Sequence, residues 1–197
     1  MKLEVILPDG LTTVAFTLQD IAKLCHQTTK KLRLDRLSDA WRWENSKLKG
    51  RQSAGYTFLD ALAALTIEDL SREHEVSAFW GGTVANDYVI PFVKEFVEMS
   101  QTEIEAAIAD PWILAFRVSE DNETLNIQAH RQSEISRFDF KGFQIIFNMS
   151  LYVISKLETI GRYYRGIEPP PPPPEKKRDY RDAPSSGLTI GIATRRN

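Results

Sequence analysis

A threonine followed three residues later by an aspartate, at the head of an apolar run, occurs twice in the first third of the chain. The first copy is Thr17-Leu18-Gln19-Asp20 before Ile21-Ala22, and the second is Thr57-Phe58-Leu59-Asp60 before Ala61-Leu62. At this spacing the hydroxyl accepts from the backbone N–H of the aspartate, and the carboxylate reaches back to the threonine N–H. Helices therefore start at Thr17 and Thr57. Leu18, Ile21, Ala22 and Cys25 share one face of the first; Phe58, Leu59, Leu62, Ala63, Leu65 and Leu70 form the apolar body of the other. His26-Gln27-Thr28 interrupts the periodicity, and Thr28 or Thr29 caps a further short helix whose expected buried side is Leu32 with Leu37.

The residues around these helices complete the N-terminal third. Leu3–Leu7 and Thr12–Phe16 flank Pro8-Asp9-Gly10, a hairpin turn between β-branched strands. Between Ser38 and Ser53 the sequence is polar and irregular, with Trp41-Arg42-Trp43 and Gly50, and predicts a hairpin wing with Gly50 near its tip. Charge is distributed unevenly. Residues 17–53 carry nine Lys/Arg against four acids, a local balance of +5, and residues 54–110 carry two against eleven, a balance of −9; the whole chain stands at −2. One basic face for a polyanion, on a body that repels it elsewhere, is the expected consequence.

Farther along, a turn is expected at Gly81-Gly82 and a helix from near Pro91, carrying Phe92, Val93, Phe96, Val97, Ile104 and Ile108, with Ser100 able to cap a separate segment. Trp112–Val118 and Thr124–Ala129 read as a second hairpin about Glu120–Glu123. A long helix is predicted from Phe143 to Tyr164. Six prolines, Pro169 to Pro174, then open a stiff spacer and a disordered tail. The expected fold class is α+β: a winged helix-turn-helix domain over 1–75, a mixed α/β-hairpin dimerisation or effector domain with a long C-terminal helix over 76–167, and a Pro-rich disordered tail over 168–197.

Enzyme chemistry has no signature here. His26, His74 and His130 have no second ligand at metal spacing, and Cys25 lies on an apolar face without a neighbouring base. Glu95, Glu98, Glu103 and Glu105 spread over a helix surface, and Gly81-Gly82 belongs to no phosphate-binding pattern. An enzyme reading would need a pocket containing His130 with Glu134. No cofactor and no metal are expected. The aromatic residues from Trp80 to Phe147 are assigned to core packing or a self-association surface. No apolar run approaches the roughly 20 residues of a membrane span, and Met1–Val5 carries an acid where a secretion signal stays apolar, so a cytoplasmic protein without membrane contact is expected.

The residue pattern also resembles a known family. Thr17-Leu18-Gln19-Asp20-Ile21-Ala22-Lys23-Leu24, then Lys30-Lys31-Leu32-Arg33, then Gly55-Tyr56-Thr57-Phe58-Leu59-Asp60-Ala61-Leu62 are similar to the winged helix-turn-helix of MerR-type regulators, over roughly residues 15–72. Leu34 and Asp35 stand where that family usually has two aromatics, and Thr57 where it has an arginine. The resemblance implies a sequence-specific, dimeric regulator of transcription bound to double-stranded DNA. Thr28, Thr29, Lys30, Lys31, Arg33 and Arg36 would serve the groove, Lys47, Lys49 and Arg51 the wing, and Tyr56 would pack under the wing or touch a phosphate. The other reading is an adaptor of phage or plasmid type, whose helix-turn-helix fold meets protein instead of DNA.

Overall fold

The computed structural model describes residues 10–37, 55–119, 124–137 and 145–167; at 35–37, 118, 137 and 145–146 the backbone alone is described. The expected strand over Leu3–Leu7, the wing over 38–53, the Glu120–Glu123 turn and the Pro-rich tail over 168–197 lie outside these residues. The fold is α+β, with helices and two small antiparallel sheets, and the chain divides into two compact units. One comprises Met1–Ile104 with Tyr152–Pro170, the other Glu105–Leu151 with Pro171–Asn197.

In the first unit, β1 (Val14–Phe16) leads into α1 (Leu18–Leu24) and α2 (Thr29–Leu37). Farther along the chain β2 (Tyr56–Thr57) pairs antiparallel with β1, Phe16 opposite Tyr56, and opens α3 (Phe58–His74). Both capping boxes form. Thr17 N–H donates to Asp20 Oδ2 at 2.8 Å and Thr57 N–H to Asp60 Oδ2 at 2.8 Å, while each threonine hydroxyl accepts from the aspartate N–H.

Helix α3 is the axis of this unit. Every residue from Phe58 to Leu70 is buried, as an apolar sequence on all sides of a helix demands. The four polar residues of that buried stretch are partnered: Asp60 closes the cap, Thr66 donates to Leu62 C=O at 2.9 Å, and Glu68 and Asp69 hold neighbouring side chains. Helix α4 (Ala78–Val84) is capped by Ser77 and runs without a break through a π-helical turn (Ala85–Val89) into α5 (Ile90–Phe96). Gly81 and Gly82 are thus helical, not the expected turn, because α4 packs against the α3 backbone. A Cβ at Gly81 would stand 3.2 Å from Ile67 Cα, so the glycine permits close approach. Ser100 caps α6 (Gln101–Ala109) through Glu103, with Ser100 N–H donating to Glu103 Oε2 at 2.7 Å; the separate segment that Ser100 is able to cap is thus a helix of its own.

The second unit is built on β3 (Trp112–Val118), with β4 (Leu125–Arg131) on one side and β5 (Ile145–Asn148) on the other, both antiparallel. The register sets Leu114 opposite Ala129 and Phe147, and Phe116 opposite Ile127 and Ile145. Leu114, Phe116, Leu125 and Ile127 are buried, and the rings of Phe116 and Phe147 meet edge-on at 5.5 Å. Short interactions close the sheet ends. Ser133 donates from its N–H and hydroxyl to Asp110 at 2.8 and 2.9 Å, and Arg131 stacks over Trp112 at 4.8 Å. The helix expected from Phe143 begins instead at Met149 as α7 (Met149–Tyr164). Ile145-Ile146-Phe147 is a short run that β3 recruits as an edge strand, and Asn148 Oδ1 caps the helix by accepting from Leu151 N–H at 3.0 Å.

Candidate nucleic-acid interface

The junction between α1 and α2 is set by backbone hydrogen bonding. Gln27 N–H donates to Ala22 C=O at 2.9 Å and His26 N–H to Lys23 C=O at 3.1 Å, with His26 at φ 52°. This is the Schellman arrangement, with a histidine in the left-handed position that glycine usually takes. Thr28 then caps α2, its Oγ1 accepting from Lys31 N–H at 3.2 Å. Ile21, Leu24, Cys25 and Leu32 are buried and hold the two helices to the unit. Burial drives the Cys25 thiol far above its ordinary pKa, and the nearby Glu68 and Asp69 carboxylates push the same way, so no nucleophile is available there.

Among the described side chains of α2, Lys30, Arg33 and Leu34 are exposed. Thr28 is exposed and Thr29 half-buried at the helix start. Lys31 turns back into the protein, where its Nζ donates to Glu68 Oε2 at 3.1 Å and its side chain remains 43% exposed. Glu68 also accepts from Gln27 Nε2 at 2.6 Å, so a single carboxylate on α3 ties down both the α1–α2 junction and α2. Tyr56 is buried in the core beside the caps, which leaves its ring structural in this state. The side chain of Arg36, and Lys47, Lys49 and Arg51 with the whole wing, lie outside what the structure describes. Of the ten residues named from sequence, the structure thus brings Lys30 and Arg33 together on one exposed face with Thr28 at its head. Glu68 and Gln27 were not visible from sequence, because their partners are brought close by tertiary packing alone.

The C-terminal half of α7 belongs to the same unit. Its Tyr163 hydroxyl donates to Asp20 Oδ1 at 2.9 Å, and the rings of Tyr163 and Tyr164 lie 6.4 and 6.1 Å from Phe16. Although partial burial works against the charge on Asp20, hydrogen bonds from Thr17 and Tyr163 and the nearby Lys23 hold its carboxyl below the usual range. Between α1 and the end of α7 lies an open groove of about 810 Å³, lined by Gln19, Lys23, His26, Thr29, Tyr163 and Tyr164. Midway along α7, Tyr152 donates to Asp69 Oδ2 at 3.0 Å and Lys156 pairs with the same carboxylate, whose other oxygen accepts from Arg72 at 3.2 Å. Helix α7 therefore braces α1 and α3 and does not seal the Lys30–Arg33 face.

Neither the protein-family models nor the curated proteins contain a match to this chain. Among the described residues, no three His, Cys, Asp or Glu side chains stand close enough together to hold a metal ion, and no helix is long and apolar enough to cross a membrane.

Proposed function

We propose that the first unit is a winged helix-turn-helix module that binds double-stranded DNA, with α2 entering the major groove, and that the protein is a dimeric, cytoplasmic transcriptional regulator of MerR-like type. One observation carries this reading: α2 buries Leu32 and presents Lys30 and Arg33 outward, one helical turn apart. An anchored helix with a cationic free face is what a duplex groove accepts. The α2 N-terminus, capped by Thr28, adds favourable charge at the head of that face. Lys31 supports the module from within by its bond to Glu68 and is available to a phosphate only if that bond opens. The stretch between α2 and β2 carries further cations in its sequence, Lys47, Lys49 and Arg51.

The test is a mobility-shift titration of the full chain against random duplex at 50 and 200 mM salt. If about four phosphates are neutralised, affinity falls on the order of 100-fold over that interval, and the double swap Lys30→Glu with Arg33→Glu abolishes the complex while the circular-dichroism spectrum stays unchanged. Absence of binding at 50 mM, or binding indifferent to the double swap, overturns the reading and leaves the adaptor role in its place.

A further inference from the structure

Leu34 is 57% exposed and sits next to Arg33 and one turn beyond Lys30. At spacings of three and four these residues lie on one helix face, so whatever surface takes the two cations also meets the leucine. Other large apolar side chains are exposed in this unit, among them Phe79 and Tyr164, but neither of these stands on α2 beside the two outward cations. An acidic protein surface would satisfy Lys30 and Arg33 and leave Leu34 in a polar setting. A lipid surface asks for more apolar area than one side chain supplies. A duplex major groove offers both features within the width of one helix: phosphates along the rim, and on its floor a single apolar group, the C5-methyl of thymine.

We infer that Leu34 is a specificity-determining residue that packs on a thymine methyl in the major groove, beside a guanine or phosphate held by Arg33. The inference rests on the DNA-binding reading above and adds to it a base preference. Thr28 and Thr29 sit at the opposite end of the exposed face, so the thymine lies toward the C-terminal part of α2 and the hydroxyls meet the backbone.

The experiment uses the full chain and a randomised 30-base-pair duplex library. Bound sequences are enriched, and each thymine of the enriched site is then replaced singly by deoxyuridine, which removes the methyl and nothing else. For the natural protein, one position is expected to lose about fourfold in affinity, the worth of one buried methyl group. In Leu34→Ala the penalty at that position disappears, and in Leu34→Met, which keeps an aliphatic contact, it returns at least in part. Retention of no duplex at all overturns the DNA-binding reading and this inference together. Retention with no enriched sequence, with no methyl-sensitive position, or with the same penalty in Leu34→Ala overturns the assignment to Leu34 while DNA binding stands. Leu34 is exposed, so the variants report on contact and not on folding, which a thermal melt of each confirms.

Discussion

Replacing Asp69 by asparagine isolates the contribution of charge at the joint between α3 and α7. Asp69 is 8% exposed; Arg72 donates to its Oδ1 at 3.2 Å, and Tyr152 at 3.0 Å and Lys156 share its Oδ2. The asparagine keeps the volume and one acceptor oxygen, so Tyr152 retains a partner. Lys156 loses its ion pair, and Arg72 keeps only its longer contact with Glu73 Oε1 at 3.4 Å. A hydrogen bond to a charged group contributes about 1.5–3 kcal/mol when fully buried. The Arg72 and Lys156 side chains are 28% and 21% exposed, so water recovers part of that loss and about 1 kcal/mol for each is the reasonable size. Asp69→Asn should therefore lower stability by about 2 kcal/mol, read from urea unfolding followed by circular dichroism. A double-mutant cycle with Lys156→Met should give a coupling of about 1 kcal/mol, because the pair is close and largely shielded. A loss below about 0.5 kcal/mol, or a coupling indistinguishable from zero, would refute the idea that this carboxylate clamps α7 onto α3.

Two further outcomes are expected. His26→Gly should raise stability by about 0.5–1 kcal/mol, because the left-handed backbone that penalises histidine is free to glycine; a melting temperature equal to or below that of the natural chain would contradict the Schellman geometry at the α1–α2 junction. Burial, followed by the charge of Asp69, holds the Tyr152 hydroxyl well above its ordinary pKa. Its contribution to stability is thus complete below about pH 10, where the unfolded tyrosine is neutral, and falls as pH rises beyond that value. Tyr152→Phe should flatten the alkaline limb of the stability curve, and an identical slope in the two proteins would show that this hydroxyl titrates freely.

How much of this was legible in the sequence depended on the range of the interaction. Thr17 with Asp20, Thr57 with Asp60 and Ser100 with Glu103 are contacts three residues apart, and each places a helix start where the spacing predicts it. The Trp112–Val118 and Leu125–Arg131 strands followed from an apolar pair of runs about a polar turn. Ile145-Ile146-Phe147 was read as helix, since a short apolar run has no period of its own and only pairing with β3 decides its state. Gly81-Gly82 suggested a turn by composition, yet the close approach to Ile67 gives it a packing role inside α4. The same limit applies to the candidate interface. That Lys30 and Arg33 face outward is compatible with local periodicity. The inward turn of Lys31 requires Glu68, far away in sequence, which no local pattern announces.

The first unit is assembled from two stretches separated by some fifty residues of the second, and its later stretch supplies Tyr163 for Asp20 and Lys156 with Tyr152 for Asp69. On a ribosome these carboxylates emerge long before their α7 partners are translated. The proposed reading head therefore matures only after the intervening stretch of the second unit has been translated, and a nascent chain halted after α6 carries Asp20 and Asp69 without the side chains that α7 brings to them. Closing such a long loop slows folding, which makes the arrival of α7 the event that commits the unit to its final form.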